Sequence, residues 1–81
     1  MNINEFLNQE PYGKEIIVKL KDGTTRRGIY DSHISEYDNE PDGESILIEI
    51  IDFGLTEIYI DEITEIMVAN ILHELKLASG K

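Results

Sequence analysis

Glu15-Ile16-Ile17-Val18-Lys19-Leu20-Lys21-Asp22-Gly23 is the stretch whose reading decides the fold. Ile16, Val18 and Leu20 alternate with Lys19 and Lys21, and alternation among β-branched residues marks a strand buried on one face. Asp22-Gly23 follows at once, a dipeptide that supplies positive φ in a tight hairpin turn. The chain therefore returns antiparallel, from Thr24 to about Tyr37. Gly28 lies inside that return, where a glycine commonly marks a bulge or sharp bend in a barrel strand.

Outward from this hairpin the pattern repeats. Residues 38–45, Asp-Asn-Glu-Pro-Asp-Gly-Glu-Ser, form a polar loop without an apolar residue. Ile46, Ile48 and Ile50 alternate with Leu47, Glu49 and Ile51, which predicts a third strand covered on both faces or nearly so. Asp52-Phe53-Gly54 is a second turn. Leu55 to Ile60 reads as a fourth strand, with Ile58 and Ile60 inward and Glu57 and Tyr59 outward. Asp61-Glu62 is a very short connection to a fifth strand, Ile63 to Val68. Five strands at this spacing, with tight turns and a bend glycine, predict a mostly β fold, a small closed or nearly closed barrel over about 14–68. A short amphipathic helix is expected at about 2–9, with Asn2 or Asn4 as cap and Ile3, Phe6 and Leu7 on one face. Pro11 and Gly13 end it. Residues 70–78 fit a second short helix using Ile71, Leu72 and Leu75, within a tail over about 69–81.

Composition bounds the chemistry. Eighty-one residues, 41% apolar, provide one core and predict a single domain over 1–81. Cysteine is absent, which removes disulfides and thiol or Cys-zinc chemistry. The N-terminus lacks the basic-then-apolar order of a signal peptide, and the longest apolar runs are too short to span a bilayer. A soluble cytoplasmic protein without membrane contact is expected. The net charge is −10. Residues 14–27 hold five cations (Lys14, Lys19, Lys21, Arg26 and Arg27) against Glu15 and Asp22, a net of +3, so the remainder carries −13. One hairpin is basic and everything else is acidic. An acidic body is repelled by nucleic acid and by anionic membranes, whereas a cationic face is what a phosphate backbone attracts.

The order of elements resembles that of Sm-like proteins. A short helix precedes Gly-Lys-Glu-Ile-Ile-Val-Lys-Leu-Lys-Asp-Gly (13–23), then Gly28-Ile29-Tyr30-Asp31. The run Ile58-Tyr59-Ile60-Asp61-Glu62-Ile63-Thr64-Glu65-Ile66 is similar to that family's fourth strand, tight turn and fifth strand. The resemblance covers about 3–68 and is closest to a group of small bacterial Sm-like (LSM-type) proteins with an Asp-Asn-Glu-Pro-Asp-Gly-Glu loop. It implies a strongly bent five-stranded SH3-like barrel behind an N-terminal helix. RNA-binding members place a polar pair after the second strand, a place Asp38 and Asn39 would occupy, and a basic residue with glycine between strands four and five. Here the second place is Asp61-Glu62, an acidic pair where a phosphate would approach, which argues against RNA at that site.

Other motifs have ordinary structural roles beside their chemical ones. Asp38, Glu40, Asp42 and Glu49 fall at the spacing of a calcium loop with Gly43 at its sixth position, but Asp, Asn, Pro and Gly are also ordinary turn chemistry. They are candidate cation ligands, and neither metal nor cofactor is expected. His33 and His73 stand alone. Asp31, Ser32 and His33 are strand neighbours pointing to opposite faces, so they do not converge as a triad. No catalytic residue emerges, and a non-enzymatic role is expected. Tyr30 near Arg26 and Arg27 is the one aromatic–cation grouping suited to stacking on bases. Three functions follow. The first is a protein-interaction or regulatory module whose acidic surface meets a basic partner. The second is an RNA-binding module using Lys19, Lys21, Arg26, Arg27 and Tyr30. The third, implied by the resemblance, is a ring subunit in which strand 55–61 pairs with a neighbour's strand 63–68.

Overall fold

The computed structural model describes residues 2–41 and 43–69. Five antiparallel strands form one sheet: β1 (Glu15–Leu20), β2 (Thr25–Ile34), β3 (Ser45–Ile50), β4 (Gly54–Tyr59) and β5 (Ile63–Val68). The order across the sheet is β4-β3-β2-β1-β5. A single helical turn, α1 (Asn4–Leu7), precedes them, and a 3₁₀ turn (Ile60–Glu62) joins β4 to β5.

The opening hairpin forms as its sequence dictates. Val18 pairs with Arg26 and Ile16 with Gly28. The Asp22 carboxylate accepts from the Thr24 backbone N–H at 2.8 Å and from its hydroxyl at 2.6 Å, while Gly23 takes φ 89°. These two bonds from Thr24, the side-chain one foremost, hold the Asp22 pKa below its ordinary value. β2 then carries an irregularity between Tyr30 and Ser32, where Asp31 is the unpaired residue opposite β3. Such a bulge bends a strand and increases its twist.

The alternation places one cluster inside. Ile16, Val18, Tyr30, Ile46, Ile48, Ile58, Ile60 and Ile63 are each 5% exposed or less, and Ile3 and Phe6 from the α1 region complete the cluster. That cluster reaches across all five strands, so the sheet is curled. Chain length requires the same thing. Four residue steps from Tyr59 to Ile63 span at most about 14 Å, whereas a flat sheet would hold its first and fifth strands about 19 Å apart. The expected barrel is closed or nearly closed, and the curl stops short of closure: β4 pairs with β3 and β5 with β1, and no ladder joins β4 to β5. The 3₁₀ turn brings the two strand ends together at one corner only, and the sheet remains open.

Three other boundaries differ from expectation. The helix is one turn rather than 2–9. A residue before proline is kept out of the α region, and Glu10 adopts φ 52° ahead of Pro11. β2 ends at Ile34, not Tyr37, where residues 35–38 turn with the Asp38 N–H donating to the Ser35 carbonyl at 3.2 Å. Ile51, expected in the third strand, lies in the β3–β4 turn and is 84% exposed. The helix expected at 70–78 lies outside the described residues. Among the described residues no helix is long and apolar enough to cross a membrane.

Candidate interaction surface

Register assigns each side chain to a face, because residues directly opposite in an antiparallel pair project to the same side. Arg26 pairs with Val18 and so lies on the core side at its rim; Arg27 pairs with Ile17 and Lys19 with Thr25, on the outer side. The candidate cations of the basic hairpin therefore do not share one face. The two outer ones are also matched by carboxylates. Arg27 Nη2 lies 2.9 Å from Glu15 Oε1, and Lys19 Nζ lies 3.3 Å from Glu65 Oε2. The Arg27 hydrogen bond is the main cause holding the Glu15 pKa below its ordinary 4.5. Lys21 is exposed beside the turn and borders a shallow depression with Leu20, Asp22, Asp61 and Glu62. Two cations of the basic hairpin are thus paired with carboxylates, and a third stands beside acidic residues.

Tyr30 sits at 1% exposure. Its ring meets Phe6 and Tyr12 edge-on, each with centroids 5.3 Å apart. Burial, with Tyr12 and Asp31 adding to it, raises the phenol pKa well above its ordinary 10.0. The hydroxyl has no hydrogen-bond partner among the described residues. A ring so enclosed presents no face on which a base could stack, and this corrects its place in the candidate patch.

The loop proposed for a cation is tied up internally. Ser35 Oγ donates to Asp38 Oδ2 at 3.0 Å. Asn39 Nδ2 donates to the Gly43 carbonyl at 2.8 Å and to Glu57 Oε2 at 3.1 Å. The fully buried Ser45 hydroxyl donates to the same Glu57 oxygen at 2.7 Å. Glu49 lies on β3 between Ile29 and Leu55, away from the loop, and Asp42 is outside the described residues. No three potential metal ligands come together among the described residues. His33 Nε2 meets Glu44 Oε2 at 2.6 Å, tying the end of β2 to the loop before β3.

The surface the sequence reading passed over is the β3–β4 turn. Phe53 N–H donates to the Ile50 carbonyl at 3.0 Å, Asp52 takes φ 72° and Gly54 φ 84°. This tight three-residue turn displays Ile51 at 84% and Phe53 at 83% exposure, and Leu55 beside it is 59% exposed. Turns are ordinarily polar, so two large apolar residues in Ile51-Asp52-Phe53 were the available signal. Phe53 also walls a groove with Thr25, Arg26, Arg27, Ile50 and Thr56. The adjoining strand β4 is, among the described residues, an edge of the sheet. Comparison of the chain with protein-family models, with curated proteins and with solved structures finds no match in any of the three.

Proposed function

We propose that this chain is a non-enzymatic protein-interaction module, consistent with the Sm-like resemblance, that receives a partner segment along its β4 edge. The observation that carries this reading is the open edge beside the exposed Ile51, Phe53 and Leu55. An unpaired edge is a template for another strand. Backbone hydrogen bonds supply affinity there, and adjacent apolar side chains supply contact. The partner is basic, because Glu49, Asp52 and Glu57 flank this edge and the whole chain carries −10. RNA binding is the weaker alternative. Its cations are divided between faces, the outer two are paired, and Tyr30 is enclosed.

A second reading rests on a separate observation. β5 is also an edge, so strand β4 of one copy could pair with β5 of the next, giving a ring or other closed assembly in the cytoplasm.

Amide NMR of the full chain distinguishes these. A short extended peptide alternating Val and Lys is the probe for strand addition, and a U-rich oligonucleotide is the probe for RNA. Strand addition predicts peptide-induced shifts along 51–59 and none from the oligonucleotide. Shifts at Lys19, Lys21, Arg26 and Arg27 that fade with salt would instead establish RNA binding. Silence with both probes, in a sample that is monomeric by light scattering, removes the edge reading. A discrete oligomer, lost in Thr56→Pro but retained in a surface control, establishes self-assembly.

A further inference from the structure

The core face of the sheet comes open at the end bearing the β1–β2 and β3–β4 turns. Arg26 is directly opposite Val18, and Thr56 opposite Ile48, so both project to the side of the core. Ile50, two residues on from Ile48, projects the same way and packs against the core cluster. The Phe53 N–H donates to the Ile50 carbonyl at 3.0 Å, which sets Phe53 beside this opening. With Thr25 and Arg27 these residues line a groove of about 430 Å³. That is the size of a small-ligand site, and the mouth of a curled sheet is a usual place for one.

The charge of the groove is the reverse of the chain's. The protein holds 17 acidic residues, yet none of the described residues lining the groove is Asp or Glu. Arg27 is matched at 2.9 Å by Glu15. Arg26 forms no ion pair among the described residues and donates one long bond, from Nη1 to the Thr25 carbonyl at 3.4 Å. Asp22 feels the Arg26 charge without pairing to it, and its carboxylate is engaged by the Thr24 N–H and hydroxyl at 2.8 and 2.6 Å. Asp52 stands in the neighbouring turn and is exposed. A half-buried guanidinium beside an aromatic and an isoleucine side chain suits a carboxylate that is attached to an apolar group.

The β4 edge leads to the same place. A segment added antiparallel to β4 runs from Tyr59 toward Gly54, and at Gly54 the turn back to β3 ends the edge. The C-terminus of such a segment therefore arrives beside Phe53. We propose that the groove receives the C-terminal carboxylate of the partner segment. The Arg26 guanidinium and the Thr25 hydroxyl donate to the carboxylate, and an aliphatic last side chain lies between Phe53 and Ile50. This rests on strand addition at β4 for the body of the segment, and it adds the polarity of that strand and the chemistry of its end. The cations that suit the acidic edge lie upstream of the terminus.

Two N-acetylated peptides of repeated Lys-Val, one ending in a free carboxylate and one in an amide, test this by amide NMR of the ¹⁵N-labelled full chain. The free acid should bind on the order of tenfold more tightly and alone move Thr25, Arg26 and Phe53. Arg26→Gln should remove the difference between the two peptides. General attraction to the acidic chain works the other way, because the amide is the more positive peptide by one charge. Equal affinity, with shifts along 54–59, would leave strand addition standing and overturn the carboxylate site. N-acetylleucine and its amide probe the groove without the edge. Shifts at Thr25, Arg26 and Phe53 from that acid alone, with no peptide moving 55–59, would keep the carboxylate groove and remove the edge reading. Silence of Thr25, Arg26 and Phe53 with every probe would overturn the groove.

Discussion

Replacing Gly28 by alanine tests the closest approach in the sheet. A Cβ at that position would sit 2.5 Å from the Glu49 carbonyl oxygen, 3.1 Å from its carbon and 3.3 Å from Ile50 Cγ1. Gly28 itself is not among the positive-φ residues, so alanine meets no backbone penalty and the whole effect is steric. The first two obstacles are main chain of β3, which cannot rotate aside as a side-chain tip can. Relief requires β2 and β3 to separate at the centre of the sheet. Overpacking of this kind costs typically 1–3 kcal/mol, and a backbone obstacle places Gly28→Ala at about 2–3 kcal/mol. For a domain of this size that corresponds to a melting temperature lower by on the order of 10–20 °C. Urea and thermal unfolding followed by circular dichroism measure it, with an unchanged urea slope showing that the same surface is exposed. Gly23→Ala is the control. It has φ 89° and nothing within 4 Å of the added carbon, so it carries only the left-handed penalty of about 1 kcal/mol. If Gly28→Ala unfolds within about 0.5 kcal/mol of the parent, or costs less than Gly23→Ala, the register placing Ile29 opposite Glu49 is wrong.

Three further outcomes follow from side-chain chemistry. Ser45→Ala removes a fully buried donor to Glu57 and should lower stability by about 1–2 kcal/mol in urea, with loss of protection at Asn39 and Gly43 in amide exchange. Tyr30→Phe removes a buried hydroxyl without a partner among the described residues, so stability at neutral pH should be unchanged or higher by up to about 1 kcal/mol. Because the folded-state pKa of Tyr30 is raised above 10.0, the stabilisation from keeping it neutral is complete below pH 10 and is lost as pH rises further. The urea midpoint should therefore fall less steeply above pH 10 in Tyr30→Phe than in the parent. Finally, the depressed pKa of Glu15 contributes stability present above the ordinary carboxylate range and lost as pH falls through the folded value. Carboxyl ¹³C titration should show the Glu15 midpoint moving up toward 4.5 in Arg27→Gln.

The strands were legible because each announces itself locally. Ile16 and Val18, Ile46 and Ile48, and Ile58 and Ile60 alternate as a one-sided sheet demands, and all six are buried. Asp22-Gly23 and Gly54 supplied the turns with the φ values such turns require. Closure was not legible, since whether β4 and β5 pair depends on how far curl and bulge rotate the two edges, and no local residue pattern encodes that sum. The basic hairpin misled for a related reason. Sequence proximity put Arg26, Arg27 and Tyr30 together, but strand geometry sends Arg27 outward and Tyr30 into the core. Their partners, Glu15, Phe6 and Tyr12, lie 12 or more residues away along the chain and come close only through folding. Ile51 looked like a strand continuation because an apolar residue flanking a turn extends the alternation of the strand before it, whereas Phe53 stood in the expected turn and only its exposure was not legible.

The place of β1 in the sheet has a consequence for synthesis of the chain. β1 is made first yet lies between β2 and β5, with Val18 opposite Ile66. Until residue 68 has been added, one long side of Glu-Ile-Ile-Val-Lys-Leu has no mate, while β2, β3 and β4 can already zip up through their short turns. A nascent or prematurely terminated product ending near Glu62 thus carries a naked isoleucine-rich border, the kind of segment that recruits copies of itself. Nonsense or frameshift lesions after the fourth strand should yield inclusion bodies rather than a weakened soluble protein.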